Sequence, residues 1–432
     1  MTTSPENGGQ PQAPAEEGRA TAAPATPSRA RARLRHAATA AALRVLWRDP
    51  SCWDDPHAIE RIPSYLAQRG ARRPLLLTSA GVTRRGQSAP LLDALRTAGV
   101  EAAVLDQAPP EPTVQDVEDA LSFYQANGCD SIVALGGGSV LDAAKAVAAR
   151  AANPSTNLAD LCGLGRIRHA LPTVVAVPTT AGSGSETTAG AVVIDERALP
   201  PRKFVLADLK LVPPLTVLDP CLTLSAPAAL TAHAGMDALT HAIEARANRF
   251  TTRAARACSR EAVALIARHL SAAYADGADL RARAGMQRAA YLAGRAITTS
   301  YVGTVHAIAH AAGPLLGLPH GLVNAIVLPT VLHAFGPAAS EALADLARAA
   351  GLPAQTSAHG ADELIRWIEG LNARMGIPRH LPGLTTAHLP LIRARALPES
   401  WSYPVPSLWT EPQMTQVLER LVPPAGENGA VG

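Results

Sequence analysis

The chain has 432 residues, 47% hydrophobic and 17% charged, the balance of a globular protein long enough for two domains. A net charge of +3 from 39 basic and 36 acidic side chains, with no basic stripe interleaved with aromatics, speaks against a nucleic-acid partner. No run reads as the roughly 18 apolar residues of a membrane span, no secretory segment opens the chain, and five scattered cysteines (Cys52, Cys129, Cys162, Cys221, Cys258) match neither a zinc knuckle nor a redox pair; a cytoplasmic protein with no membrane partner is expected.

Residues 1–30 are rich in Pro, Ala, Gly and Thr and read as a disordered tail, because they hold too little apolar surface to bury. Residues 31–56 read as an N-terminal extension built on the basic amphipathic helix "RARLRHAATAAALRVLWR"; three preceding glutamates argue against a transit peptide. From 57 onward strand and helix patterns alternate. "PLLLTS" (74–79), "VEAAVL" (100–105), "SIVAL" (131–135) and "TVVAVPTT" (173–180) are short apolar runs bounded by turn residues, hence buried strands. "APLLDALRTAG" (89–99), "TVQDVEDALSFYQANG" (113–128) and "VLDAAKAVAARAA" (140–152) have helical spacing. Alternation of this kind predicts a parallel sheet covered by helices. After about 222 the strand signals stop, so a 57–222 α/β domain and a 223–432 all-helical domain are predicted.

"SIVALGGGSVLDAAKAV" places three glycines after a buried strand and at the start of a helix. Glycine permits close backbone approach, and the helix N-terminus offers N–H groups and partial positive charge to a pyrophosphate. The spacing is not that of the common dinucleotide fingerprint, and a glycine triplet alone is also a common turn. A second loop, "VPTTAGSGSETT" (177–188), bears hydroxyls and glycines at another strand end. Ligands of open α/β sheets bind at such ends, so the pair of loops points to a nucleotide site.

Three of the thirteen histidines crowd into "VHAIAHAAGPLLGLPHGLVNA" (305–325). His306 and His310 are four apart, as are Asp237 and His241 in "AGMDALTHAIEA", so each pair shares a helix face. His320 follows a Leu-Pro break. Any one of these histidines could be a satisfied core imidazole. Together, with a carboxylate in an apolar helix that needs a partner, they suggest a divalent ion.

"GGGSVLDAAK", "PTTAGSGSE", "DPCLTLSAPAALTAHAGMDALTHAIEA" and "HAIAHAAGPLLGLPHGLVNAIVLPTVL" together resemble the iron-containing (group III) alcohol dehydrogenase family over roughly residues 57–422. The resemblance implies an α/β dinucleotide-binding domain plus an all-α domain, the dehydroquinate synthase-like architecture. It implies that Asp237, His241, His306 and His320 hold the metal, Fe²⁺ ahead of Zn²⁺, and that His310 serves the chemistry without binding the metal. Gly137, Gly138, Ser139 and Asp142 would belong to the phosphate and ribose loop, Thr179, Thr180 and Ser185 to the second cofactor loop, and Lys203 to the nicotinamide end. The expected activity is NADPH- or NADH-linked interconversion of a small aldehyde or ketone with its alcohol, by a homodimer. Ser79 stands where the family commonly has an aspartate for the adenosine ribose; with Arg84 and Arg85 behind it, NADPH is expected to be accepted at least as well as NADH. Other departures are "DPHAIERIP" in place of a glycine-rich stretch, Ser183 for threonine, Pro314 for glycine, and Ala189, Gly190 and Ala191, which suggest a roomy substrate pocket. The rival readings are a maleylacetate reductase-like oxidoreductase, a lyase of the dehydroquinate synthase type, and a catalytically idle relative acting as a binding protein.

Overall fold

Leu75, Leu76 and Leu77 are buried to within 1% of full, as are Ile132 to Leu135 and Val175 and Val177. Strands so apolar on both faces need helices on both faces, and the computed structural model, which describes residues 49–197 and 201–424, supplies them. The expected tail (1–30) and the helix of the extension (31–48) lie outside the described residues.

Six parallel strands form the main sheet: β1 (Ser51–Asp54), β2 (Pro74–Thr78), β3 (Ala103–Leu105), β4 (Ser131–Gly136), β6 (Thr173–Pro178) and β9 (Leu215–Leu218), in the order β1-β9-β6-β4-β2-β3. Alternate residues face opposite ways. Leu75, Ile132, Ala134, Val174 and Ala176 pack under α4 (Val114–Ala126) and α5 (Gly138–Ala152). Leu76, Val133, Leu135, Val175 and Val217 pack against α1 (Ile62–Gln68) and α3 (Ala89–Thr97) on the other face, and the short α2 (Ala80–Arg84) follows β2. The chain runs from β2 outward to β3 and returns on the other side of β2 to β4. Its reversal point therefore lies between β2 and β4, where such sheets open a crevice at their carboxyl ends.

Three features depart from the sequence reading. Ser51–Asp54, assigned to the helical extension, is an edge strand paired with β9; four residues on a half-exposed edge carry no run or alternation to detect. The "VEAAVL" strand is only Ala103–Leu105. A small second sheet, β5 (Gly163–Leu164), β7 (Gly190–Asp195) and β8 (Arg202–Ala207) in the order β5-β8-β7, was not foreseen. It places Ala191 fully buried in the α/β core, so this residue does not line an open substrate pocket.

Beyond β9 the described residues are helical: α6 (Ala228–Ala247), α7 (Arg253–Ala275), α8 (Leu280–Ser300), α9 (Thr304–Leu316), α10 (His320–Phe335), α11 (Ser340–Ala349), α12 (Ser357–Arg374), α13 (Leu389–Ser402) and α14 (Glu411–Glu419). One hydrophobic cluster runs through this domain from Leu218 to Leu421. His320–Ala338, which contains α10, is long and apolar enough to cross a membrane, with mean hydropathy 1.4, and so corrects the expectation that no such run exists. It packs against α6, α9 and α12 as the helix at the centre of this domain. Two ion pairs join β1 and the segment before it to α8: Asp54 to Arg288 at 3.6 Å and Asp49 to Arg295 at 2.7 Å.

Candidate active site and metal centre

β2, β4 and β6 lie side by side, so the segments leaving their carboxyl ends form one wall. Ser79 leaves β2 in extended conformation as the N-cap of α2, and its side chain makes no capping bond. Gly137 is the extended N-cap of α5, whose first residues are Gly138 and Ser139; a helix start of this kind can receive an anion on its free N–H groups. The Ser139 hydroxyl donates to the Pro110 carbonyl. A Cβ on Gly138 would stand 2.6 Å from the Ser183 Oγ, so the two glycine-bearing loops pack in direct contact. Thr179 N donates to the Gly136 carbonyl at 2.9 Å, and Thr180 lies beside Gly137.

The second loop is wedged between the domains. A Cβ on Gly182 would come within 2.8 Å of the Ala234 backbone on α6. Gly184, with φ +63°, lies against Gly294 on α8 just as closely.

Asp142 and Ser185 are brought to each other. The Ser185 hydroxyl donates to Asp142, whose other oxygen accepts Val192 N at 3.0 Å. Lys145, 1% exposed, donates to Ser185 Oγ (2.9 Å), the Thr188 hydroxyl and carbonyl (3.0 Å each) and the Gly190 carbonyl (2.9 Å). Burial pulls the Lys145 ammonium down to about 8 against the opposing pull of Asp142. This buried knot fixes α5 to the second loop and to β7. Lys203, on β8, pairs with Glu111 at 2.6 Å.

α6 presents Asp237 and His241, α9 His306 and α10 His320, with Pro319 as its N-cap. Asp237 Oδ1 is 3.9 Å from His241 Nε2, 3.7 Å from His306 Nε2 and 3.7 Å from His320 Nε2. An ion held tetrahedrally at about 2.0–2.1 Å sets neighbouring ligand atoms about 3.4 Å apart. Asp237, His241 and His306 offer ligand atoms that all lie within 4.8 Å of one another, near the spacing one divalent cation requires, with His320 adjoining Asp237 at the edge of the group; carboxylate and imidazole ligands suit iron or zinc. The electrostatics agree. Burial pushes the Asp237 carboxyl up, but the three imidazoles around it outweigh that and hold it well below the usual range. Burial takes His241 down to about 4 and His320 well below the ordinary histidine value, so both present neutral imidazoles. At His306 burial pulls down, yet Glu244 and Asp237 lift it to about 9. A buried carboxylate with two neutral imidazoles beside it fits a cation.

His310 stands beside these ligands. Its ring stacks on His320 at 5.2 Å between centroids and lies edge-on to His306 at 5.9 Å. Its Nδ1 is 2.6 Å from Glu399 Oε1. Pro314, inside α9, cannot supply the N–H that would close on the His310 carbonyl.

Three neighbours of the site escaped the sequence reading. Glu244 bonds His306 Nδ1 at 2.6 Å and accepts Gly303 N and Val305 N. It follows Asp237 at i+7 and His241 at i+3, on the same face, a signal that was available. Asn324, one turn after His320, puts Nδ2 2.7 Å from Asp237 Oδ1 and 3.1 Å from His320 Nε2. Glu399 lies 89 residues from its partner and has no local signature.

Glycine-bearing loops at the carboxyl ends of neighbouring strands, one of them packed on the helix whose Asp237 gathers three histidines, are the parts of a metal-dependent, nicotinamide-linked oxidoreductase acting on CH–OH groups. The profile described as iron-containing alcohol dehydrogenase matches residues 51–220, and the profile described as Fe-containing alcohol dehydrogenase family, C-terminal, matches 231–422. The chain belongs to the iron-containing alcohol dehydrogenase family. It is 35% identical to 1,3-propanediol dehydrogenase of Klebsiella pneumoniae, with 84% of this chain and 95% of that one aligned. It is 32% identical to NAD-dependent methanol dehydrogenase of Bacillus methanolicus over the same shares. A solved alcohol dehydrogenase from Oenococcus oeni superposes with TM-score 0.83 at 29% identity, covering 86% of this chain and 98% of that one.

Proposed function

We propose that Asp237, His241, His306 and His320 hold one divalent ion, Fe²⁺ in preference to Zn²⁺, and that the protein uses it to interconvert a small aldehyde or ketone and its alcohol. The observation that carries this reading is the convergence of three imidazole nitrogens within 3.7–3.9 Å of one buried carboxylate oxygen. When bound, such an ion polarises the substrate oxygen, and the nicotinamide supplies or takes the hydride. The protein's own residues do the rest. Gly137, Gly138, Ser139, Thr179 and Thr180 bind the cofactor phosphates; Asp142, Ser185 and Lys145 hold those loops in place; Lys203 marks the nicotinamide end. His310 passes a proton to or from the substrate oxygen.

NADPH is accepted at least as well as NADH. Ser79 puts no negative charge at the end of β2. The Arg85 guanidinium folds back to within 3.2 Å of a Cβ position on Gly81, two residues beyond Ser79, where it can pair with a 2′-phosphate. The working unit is a homodimer in the reducing cytoplasm, consistent with five free cysteines.

The test is His320→Ala with metal analysis and an aldehyde panel. The variant is expected to keep its fold, lose tight binding of one divalent ion per chain, and lose turnover by orders of magnitude. A variant that retains one equivalent of metal and normal turnover would show the ligand set to be wrong.

A further inference from the structure

We infer that Glu399 is a positioning residue for the reaction: it fixes the tautomer and tilt of His310 from the far helix α13. The inference rests on the proposal that His310 moves the proton, and deepens it.

The geometry carries the argument. His310 Nδ1 is 2.6 Å from Glu399 Oε1, and the same oxygen accepts the Tyr403 hydroxyl at 2.8 Å. An ionised carboxylate only accepts, so the proton sits on Nδ1 and the lone pair on Nε2. The ring flanks His306 and His320, so it belongs to the same cluster of imidazoles. A carboxylate that holds an imidazole in one tautomer contributes by orientation, and its amide replacement loses rate with the geometry intact. Glu399 is itself held. Tyr403 occupies one of its lone pairs, the Tyr301 ring lies 6.4 Å from that of Tyr403, and α13 packs along α9, which bears His310. Tyr301 takes φ +64° and ψ 166°, a conformation suited to glycine. The Asn248 Nδ2 clamps the carbonyls of Ser300, Tyr301 and Val302 at 2.7–3.0 Å and holds this bend beneath the two phenols.

The test compares His310→Ala, Glu399→Gln, Glu399→Asp and the double variant His310→Ala/Glu399→Gln, each in the full-length, metal-loaded enzyme. Metal stoichiometry and melting temperature are recorded alongside kcat and KM. Glu399→Gln is expected to keep metal and fold, leave KM within about twofold, and lower kcat by about 10²-fold, inside the range of general acid–base effects. Glu399→Asp should restore part of the loss, and the double variant should be no slower than His310→Ala alone. If His310→Ala is slow while Glu399→Gln is normal, or the double variant loses the product of both effects, the assignment of Glu399 is overturned and that of His310 stands. If His310→Ala itself is unimpaired, the proton role of His310 fails and this inference falls with it. Should Glu399→Gln fail to fold, Tyr403→Phe takes its place: a fall in kcat at unchanged KM supports the inference, and unchanged kcat overturns it.

Discussion

Glu244 Oε2 lies 2.6 Å from His306 Nδ1, with both side chains buried to within 4% of full. The same carboxylate accepts the N–H groups of Gly303 and Val305, so one residue of α6 starts helix α9 and aims its histidine. Glu244→Gln should leave the fold intact and weaken metal binding by about 10–100-fold, the usual cost of losing such a support. Competition with a chelator measures it; affinity equal to that of the parent would mean that His306 is oriented by packing alone.

Gly182 ties the second glycine-bearing loop to α6. Ala234, which it touches, precedes Asp237 by one turn, and the obstruction to a new Cβ is backbone, which cannot swing aside. Gly182→Ala is therefore expected to destabilise the protein by about 1–3 kcal/mol. It should also reduce metal occupancy and kcat together, because the loop must push α6. Denaturant melts paired with metal analysis decide this. Full occupancy with unchanged stability would show that the seam yields.

On the proposed cofactor reading, the choice between NADPH and NADH turns on the end of β2. Ser79→Asp places a carboxylate where a 2′-phosphate would sit, and should raise KM for NADPH by about tenfold or more, equivalent to roughly 1.4 kcal/mol, with little change for NADH. Arg85→Ala should act in the same direction. Steady-state kinetics with both cofactors are the measurement, and a parent enzyme that uses NADH far better than NADPH removes the premise.

Glu186 predicts a pH dependence of stability. It is 2% exposed, and burial raises its carboxyl to about 7, against the lowering pull of its own backbone N–H and of Lys145. The folded protein thus holds this proton more tightly than the unfolded chain, whose glutamate has the ordinary value of 4.5. The resulting stabilisation is complete below 4.5 and is lost as pH rises through 7. Melting curves from pH 5 to 8 should show the parent losing stability relative to Glu186→Gln over this interval. Parallel profiles would exclude the effect.

What the sequence disclosed follows from the range of the forces involved. The clustering of Asp237/His241 and His306/His310 was legible because both pairs repeat at helical spacing, and the main buried strands because parallel sheets need apolar runs. β1, β7, β8 and β9 were not, being short segments defined by what they pair with. Asp142 and Ser185, which the resemblance assigns to the cofactor loops, are bonded to each other in the fold, and Ser185 also accepts from Lys145. Glu399 was invisible because a bond across 89 residues has no period.

The pairing of β1 with β9 has a consequence for synthesis on the ribosome. β1 is the earliest-made strand described, yet its neighbour in the sheet is completed only at Leu218. Its flanking Asp49 and Asp54 find Arg295 and Arg288 later still, once α8 has emerged. β1 can therefore pair only after β9 has been made, and its flanking aspartates join the α/β half to the helical half.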